Sequence, residues 1–200
     1  IEVCLRAGLP VIVCGHLPDM DGIDAVAADN ADGGRQAADL LIRTCCKTLA
    51  YLGTAVPSMA DQEREQGFVA AARDQGRAVA IHRPKPGQDF FDHAAYVLSS
   101  RKRPDGIFAA TDRLAMIILE VARRLGLEIP GELSIIGFNN LPGPSHVFGD
   151  LTTLDYPPAR VADAVLELLD YRLLNPGTTS RRSRIPVSLV PRVTTKIRQS

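Results

Sequence analysis

Two hundred residues, 46 % of them apolar and 23 % charged, make an ordinary chain able to bury a core, and length alone leaves one domain or two small ones open. Lys and Arg balance Asp and Glu at 23 each, which excludes the basic footprint of a nucleic-acid-binding module. No apolar run approaches the length needed to span a bilayer.

The elements follow in chain order. Ile1 opens in mid-pattern without a start methionine, so the chain reads as a fragment of a longer product. Glu2 to Gly8 looks like the end of a helix, with Gly8 as its stop. Strands are expected over residues 10–15, 25–29, 48–53, 78–82, 107–110, 133–138 and 184–190, and helices over 34–46, 61–75, 91–100, 112–125 and 160–174. This alternation calls for βαβ units and mostly parallel sheets. Ser58 and Asp61 have the spacing of a capping box, Asp32 is placed to cap a helix starting at Gly33, and Pro157-Pro158 suits the start of the last helix. The connectors 83–88 and 141–149 carry Pro and Gly and are long enough to hold binding residues.

The four cysteines, Cys4, Cys14, Cys45 and Cys46, form no C-x-x-C pair and have no histidine at ligand spacing. They read as buried free thiols, with no metal site. Neither a nucleophile elbow, a zinc-binding H-E-x-x-H, nor a Walker or dinucleotide glycine fingerprint is present. No histidine, His146 in the second long loop included, has an evident nucleophile-and-carboxylate partnership. Neither a cofactor nor an enzymatic role is expected.

The polar residues that do stand out follow strands. His16, Asn30, Ser58, Thr111-Asp112 and Asn139-Asn140 all fall where strands are expected to end, and Arg64 lies near the start of the helix after the third strand. Each has a structural alternative as a helix cap or turn residue. Their placement at one sheet edge points instead to a crevice that reads a small polar molecule. Phe90 and Tyr156 sit in connectors, where a ring can stack on a ligand or simply pack the loop. Phe68, Phe108 and Phe138 fit core positions.

The runs Ile107-Phe108-Ala109-Ala110-Thr111-Asp112, Leu125-Gly126-Leu127-Glu128-Ile129-Pro130 and Ile135-Ile136-Gly137-Phe138-Asn139-Asn140 resemble the effector-binding domain of LacI/GalR-type bacterial transcription regulators. Asp29-Asn30 with Gly33-Gly34, Arg64-Glu65-Gln66-Gly67-Phe68, Leu151-Thr152-Thr153-Leu154 and the stretch from Pro186 to Thr195 resemble it in the same order. The resemblance implies an α/β fold of the type I periplasmic-binding-protein-like kind, with two Rossmann-like lobes holding the effector between them. It implies an incomplete N-terminal lobe from residues 1–46 and 155–183, and a C-terminal lobe from 47–154 and 184–200. Matched by position, it implies effector contacts at His16, Asp32, Ser58, Arg64, Phe90, Thr111, Asn139 and Tyr156. Thr111 stands where the family commonly has Asn, Asn139 where it commonly has Asp, and Tyr156 where Gln is frequent. The implied partners are a sugar, sugar acid or related effector, a second copy of the chain, and operator DNA through a helix-turn-helix outside this chain, in the cytoplasm and away from membranes. A periplasmic sugar-binding protein of a transporter is the alternative that shares the fold.

Overall fold

The computed structural model describes residues 1–18, 23–142 and 150–196. Of the second long loop, residues 143–149, His146 among them, lie outside the described part. The chain divides into two compact units, residues 1–29 with 157–187 and residues 30–156 with 188–200. The elements are α1 (Glu2–Arg6), β1 (Ile12–Cys14), β2 (Asp24–Ala28), α2 (Asn30–Arg43), β3 (Leu49–Leu52), α3 (Met59–Asp74), β4 (Val79–His82), α4 (Phe90–Leu98), β5 (Gly106–Ala109), α5 (Asp112–Arg124), β6 (Ser134–Asn139), β7 (Thr152–Asp155), α6 (Pro158–Leu174), β8 (Arg182–Ile185) and β9 (Ser188–Val190).

The first unit holds a parallel sheet in the order β1-β2-β8, with α6 packed on it. Its central strand β2 is buried along its whole length and begins with a charge, Asp24, which is 1 % exposed. Arg172 of α6 donates to both Asp24 oxygens at 2.7 Å, and the Arg181 amide donates at 2.7 Å. The Arg172 hydrogen bond leads the causes that hold the Asp24 carboxyl below its ordinary value, against the opposing effect of burial. Asp24→Asn is expected to cost about 1.5 kcal/mol at neutral pH, since it loses charge assistance but keeps the shape. A depressed carboxylate stabilises above the unfolded pKa of about 3.9 and loses that contribution as pH falls through the folded value. Urea unfolding over a series of falling pH values checks this: a gap between native and variant that does not narrow as pH drops below about 3.9 would contradict it.

The second unit carries a six-stranded sheet in the order β4-β3-β5-β6-β7-β9, parallel except for β9. Strands β3 and β5 are buried throughout, and their continuous apolar runs suit a sheet covered on both faces. On one side Tyr51, Phe68 and Phe108 cluster with ring centroids 5.3–6.4 Å apart. On the other, Ala94 and Leu98 of α4 and Ala115, Ile118 and Val121 of α5 pack with Leu52, Ile107 and Ile135.

Four features depart from the sequence reading. The strand expected over 184–190 is two strands in different sheets, broken at Pro186, which has no N–H to donate to a ladder. Strand β7 is an addition to the expected strands, because four residues with one aliphatic side chain are too short a run to mark one. Its hydroxyls are bonded by distant residues, Thr152 with Arg192 and Thr195, and Thr153 with Asp112. Residues 30–46, expected with the first lobe, cluster with the second unit because α2 packs along α3. Of the four free cysteines only Cys46 is buried, whereas Cys14 and Cys45 are exposed and Cys4 is half-buried.

Candidate functional site at the strand ends of the second unit

The six-stranded order reverses at β3: the chain runs outward to β4, then returns past β3 to β5 on the other side. Loops leaving β3 and β5 therefore diverge, and the carboxyl ends of those strands form the switch point where open parallel sheets hold ligands. Helices α3 and α5 start there, after Ser58 and Thr111.

Arg64, in the second turn of α3, reaches across this point. Its Nε donates to Asn30 Oδ1 at 2.9 Å and its Nη1 to the Ala110 carbonyl at 2.6 Å, and its guanidinium carbon lies 3.6 Å from the centre of the Phe138 ring. One side chain thus ties together the ends of β5 and β6 and the start of α2. Burial pulls the Arg64 pKa below its ordinary value, against the fields of Tyr51, Asp61 and Asp112. Asn30, 1 % exposed, also donates to Glu63 at 2.9 Å.

At the end of β6, Asn139 has φ 117° and Asn140 φ 51°. Such a backbone is costly for a non-glycine residue and persists only where its surroundings enforce it. The enforcing contacts come from Asn140, whose amide donates to Asp155 at 3.0 Å and whose carbonyl oxygen accepts from Arg192 at 2.8 Å. The following amide, Leu141, donates to Asp112 at 2.8 Å. Asp112, buried at 2 % exposure, also accepts from Thr153 at 2.6 Å, and burial raises its pKa. Asp112 therefore braces the β6 turn and is not the helix cap that its position suggests.

The structure places the other expected residues as follows. Ser58 and Thr111 are N-caps of α3 and α5, accepting from Asp61 N at 3.2 Å and Leu114 N at 3.3 Å. Asp32 lies inside the first turn of α2, whose start at Asn30 precedes the expected one, and bonds Arg35 and Gln36. Phe90 opens α4 and packs on the core, with His93 at 6.4 Å. His16 follows β1 in the first unit, and Tyr156 is the last residue of the second unit before the chain leaves it. Arg64 touches Ala110 and Phe138, the residues that immediately precede Thr111 and Asn139. Asn30, which the sequence marks as a strand-end residue and as part of the family resemblance, joins them through Arg64.

A second polar cluster was not anticipated. Asp61, 4 % exposed, accepts from the Tyr51 hydroxyl (2.6 Å), Thr54 Oγ1 (2.6 Å) and N (3.1 Å), and both terminal nitrogens of Arg83 (3.0 and 3.1 Å). Arg83 also pairs with Glu65 and donates to the Thr54 carbonyl at 2.9 Å. This clamp fixes the turn between β3 and α3. Ser58-x-x-Asp61 is therefore half a capping box, since the Asp61 side chain turns to the clamp. Nothing local in the sequence pairs residue 61 with residue 83.

A groove of about 730 Å³ opens at the opposite end of the same sheet, beside Arg123, Gly126 and Leu127 where α5 ends. It faces the amino ends of the strands and has no part in the strand-end site. Among the described residues no group of three or more His, Cys, Asp or Glu could hold a metal ion, and no helix is long and apolar enough to cross a membrane.

A parallel sheet with a switch point and a polar strand-end cluster defines an α/β protein of the architecture in which open sheets hold ligands. Residues 38–195 match the periplasmic binding protein-like domain, and the chain belongs to that family. It is 29 % identical over 181 residues to the ribose operon repressor of Halalkalibacterium halodurans, covering 88 % of this chain and 54 % of that protein. It is 27 % identical over 195 residues to the transcriptional repressor PurR of Vibrio vulnificus, covering 96 % and 58 %. Among solved structures it superposes with a TM-score of 0.85 and 26 % identity on a LacI family transcriptional regulator from Enterococcus faecium with bound ribose, covering 97 % of this chain and 73 % of that one. The LacI-type resemblance read from the sequence holds across nearly the whole chain, which spans just over half the length of these two curated relatives.

Proposed function

We propose that this chain is the effector-sensing part of a LacI/GalR-type transcriptional regulator and binds a small polar molecule at the carboxyl strand ends of the second unit. The observation that carries this reading is Arg64, seated on Phe138 and bonded to Ala110, at the point where the sheet order reverses. The relatives, all named as transcriptional regulators or repressors, support it, and so does the ribose held by the Enterococcus faecium neighbour. The proposed role is binding rather than catalysis, in keeping with relatives named as transcriptional repressors and regulators. Effector affinity that differs between two conformations would shift their populations and so alter operator binding by a DNA-contacting segment outside this chain, in a cytoplasmic homodimer.

The test begins with a thermal-shift screen of sugars, polyols, sugar acids and nucleobases, since a ligand selective for the native state raises its apparent stability. For the ligand found, Arg64→Ala is expected to weaken binding by about ten- to a hundredfold by calorimetry, from roughly 1.5–3 kcal/mol for a lost charge-assisted bond. Unchanged affinity in a folded variant would remove Arg64 from the site. The coding sequence upstream of Ile1 separates this reading from a periplasmic transport protein: a helix-turn-helix supports the regulator, a signal peptide the transport protein.

A further inference from the structure

The carboxylates at the strand ends of the second unit are each engaged by protein donors, whereas one guanidinium edge and the Asn139 carboxamide are unengaged among the described residues. Asp112 is bonded to Thr153 and Leu141, Asp155 accepts from Asn140, Glu63 accepts from Asn30, and Asp61 and Glu65 hold Arg83. Arg64, by contrast, has only neutral partners: a carboxamide oxygen, a backbone carbonyl and an aromatic face. No carboxylate of the described residues lies within ion-pair distance of it, and its Nη2 makes no hydrogen bond to them. The Asn139 side chain likewise has no hydrogen-bond partner among the described residues, although its backbone is held at φ 117°.

A neutral polyol hydroxyl both donates and accepts, and with the carboxylates engaged only the uncharged Asn139 oxygen is left among these groups to accept from it. An anionic oxygen only accepts. A guanidinium with an unused N–H edge suits such a group, through the planar fork that matches carboxylate and phosphate. Leaving a partly buried charge without a counter-charge is costly, and a bound anion would offset that cost.

Building on the effector reading above, we propose that the ligand of this site carries an anionic oxygen group, a carboxylate or a phosphate, seated on Arg64 with the Asn139 amide as a second donor. Asn139 has a consequence of its own here: a carboxylate at this position would supply the missing counter-charge and repel such a ligand.

Calorimetry on the whole chain with D-gluconate, D-ribonate and D-ribose 5-phosphate, each set against neutral D-glucose or D-ribose, tests the proposal. At least one acid or phosphate is expected to bind about tenfold or more tightly than its neutral parent. The first two compounds report a carboxylate and the third a phosphate. Arg64→Met should abolish that preference. Asn139→Asp, which keeps the guanidinium and the side-chain shape, should reverse it, with melting curves of the free variants showing that they fold. A neutral sugar that binds as tightly as its charged counterpart overturns the anionic assignment while leaving an effector site in place. Failure of all five compounds to bind overturns it as well, and a preference that survives both substitutions removes it from Arg64 and Asn139. The effector reading fails separately, if no ligand of any class in the thermal-shift screen raises the melting temperature of the native chain.

Discussion

Asp61→Ala is expected to cost about 3–5 kcal/mol of the second unit's stability, the range for breaking a buried ion pair by removing one partner. The variant would leave Arg83, the Tyr51 hydroxyl and Thr54 without their shared acceptor. Tyr51 is buried at 0 % exposure, so its hydroxyl would retain only the longer bond to the Asp61 carbonyl at 3.0 Å. The loss should show in urea unfolding as a lower midpoint with an unchanged slope. A loss below about 1 kcal/mol would mean that water or Glu65 takes over the Arg83 charge, and that the clamp is not a structural keystone. The pH dependence has a definite sign. Burial alone would raise the Asp61 carboxyl, but hydrogen bonds from Arg83, Thr54 and Tyr51 outweigh it and hold the pKa below the ordinary value. Its contribution is therefore complete above the unfolded pKa of about 3.9 and disappears as pH falls through the folded value. Native chain and Asp61→Ala should converge in stability in that acid window.

Gly67→Ala is expected to cost about 3 kcal/mol, or roughly 6–12 °C in melting temperature. Helices α2 and α3 touch through two glycines. A methyl on Gly67 would meet the Ala31 carbonyl carbon at 2.7 Å and its oxygen closer still, and one on Gly34 would meet Phe68 N at 2.7 Å. These are backbone atoms of the facing helix, so neither can swing aside, and the helices must separate. Separation also moves Asn30, at the start of α2, away from Arg64. Weaker ligand binding should therefore accompany the fall in melting temperature. A melting temperature within about 2 °C of the native chain would show that the helix pair has slack that the contacts do not suggest.

Much of the fold was legible because its signals are local. The apolar run from Ile107 to Ala110, the helical spacing of Ile118 and Val121, and the run from Ile135 to Phe138 each mark one element, and Phe68, Phe108 and Phe138 lie buried as their pattern implied. Where the reading slipped, a distant residue decided the outcome. The buried threonines of β7 have partners some forty positions away, Thr153 at Asp112 and Thr152 at Thr195. The allegiance of α2 to the second unit follows from Gly34 meeting α3, which no pattern within α2 reveals.

The site divides in the same way. Sequence by itself determined which polar residues stand at strand ends, since a strand end and a helix start are written in neighbouring positions, and through the family resemblance it singled out Arg64 and Asn139. It left Ser58, Thr111 and Asp112 open between capping and ligand contact, because both uses favour the same residue types in the same place. Only the tertiary structure shows that Ser58 and Thr111 cap helices, a use compatible with ligand contact by the same hydroxyls, and that Asp112 braces the β6 turn. Strand order did the same for Arg64, because the reversal at β3 sets α3 beside the end of β5, with Ala110 lying 46 residues later in the chain. Hydrogen-bond partners are assigned by packing, and packing depends on which strands lie side by side, an order that no stretch of the chain carries within itself.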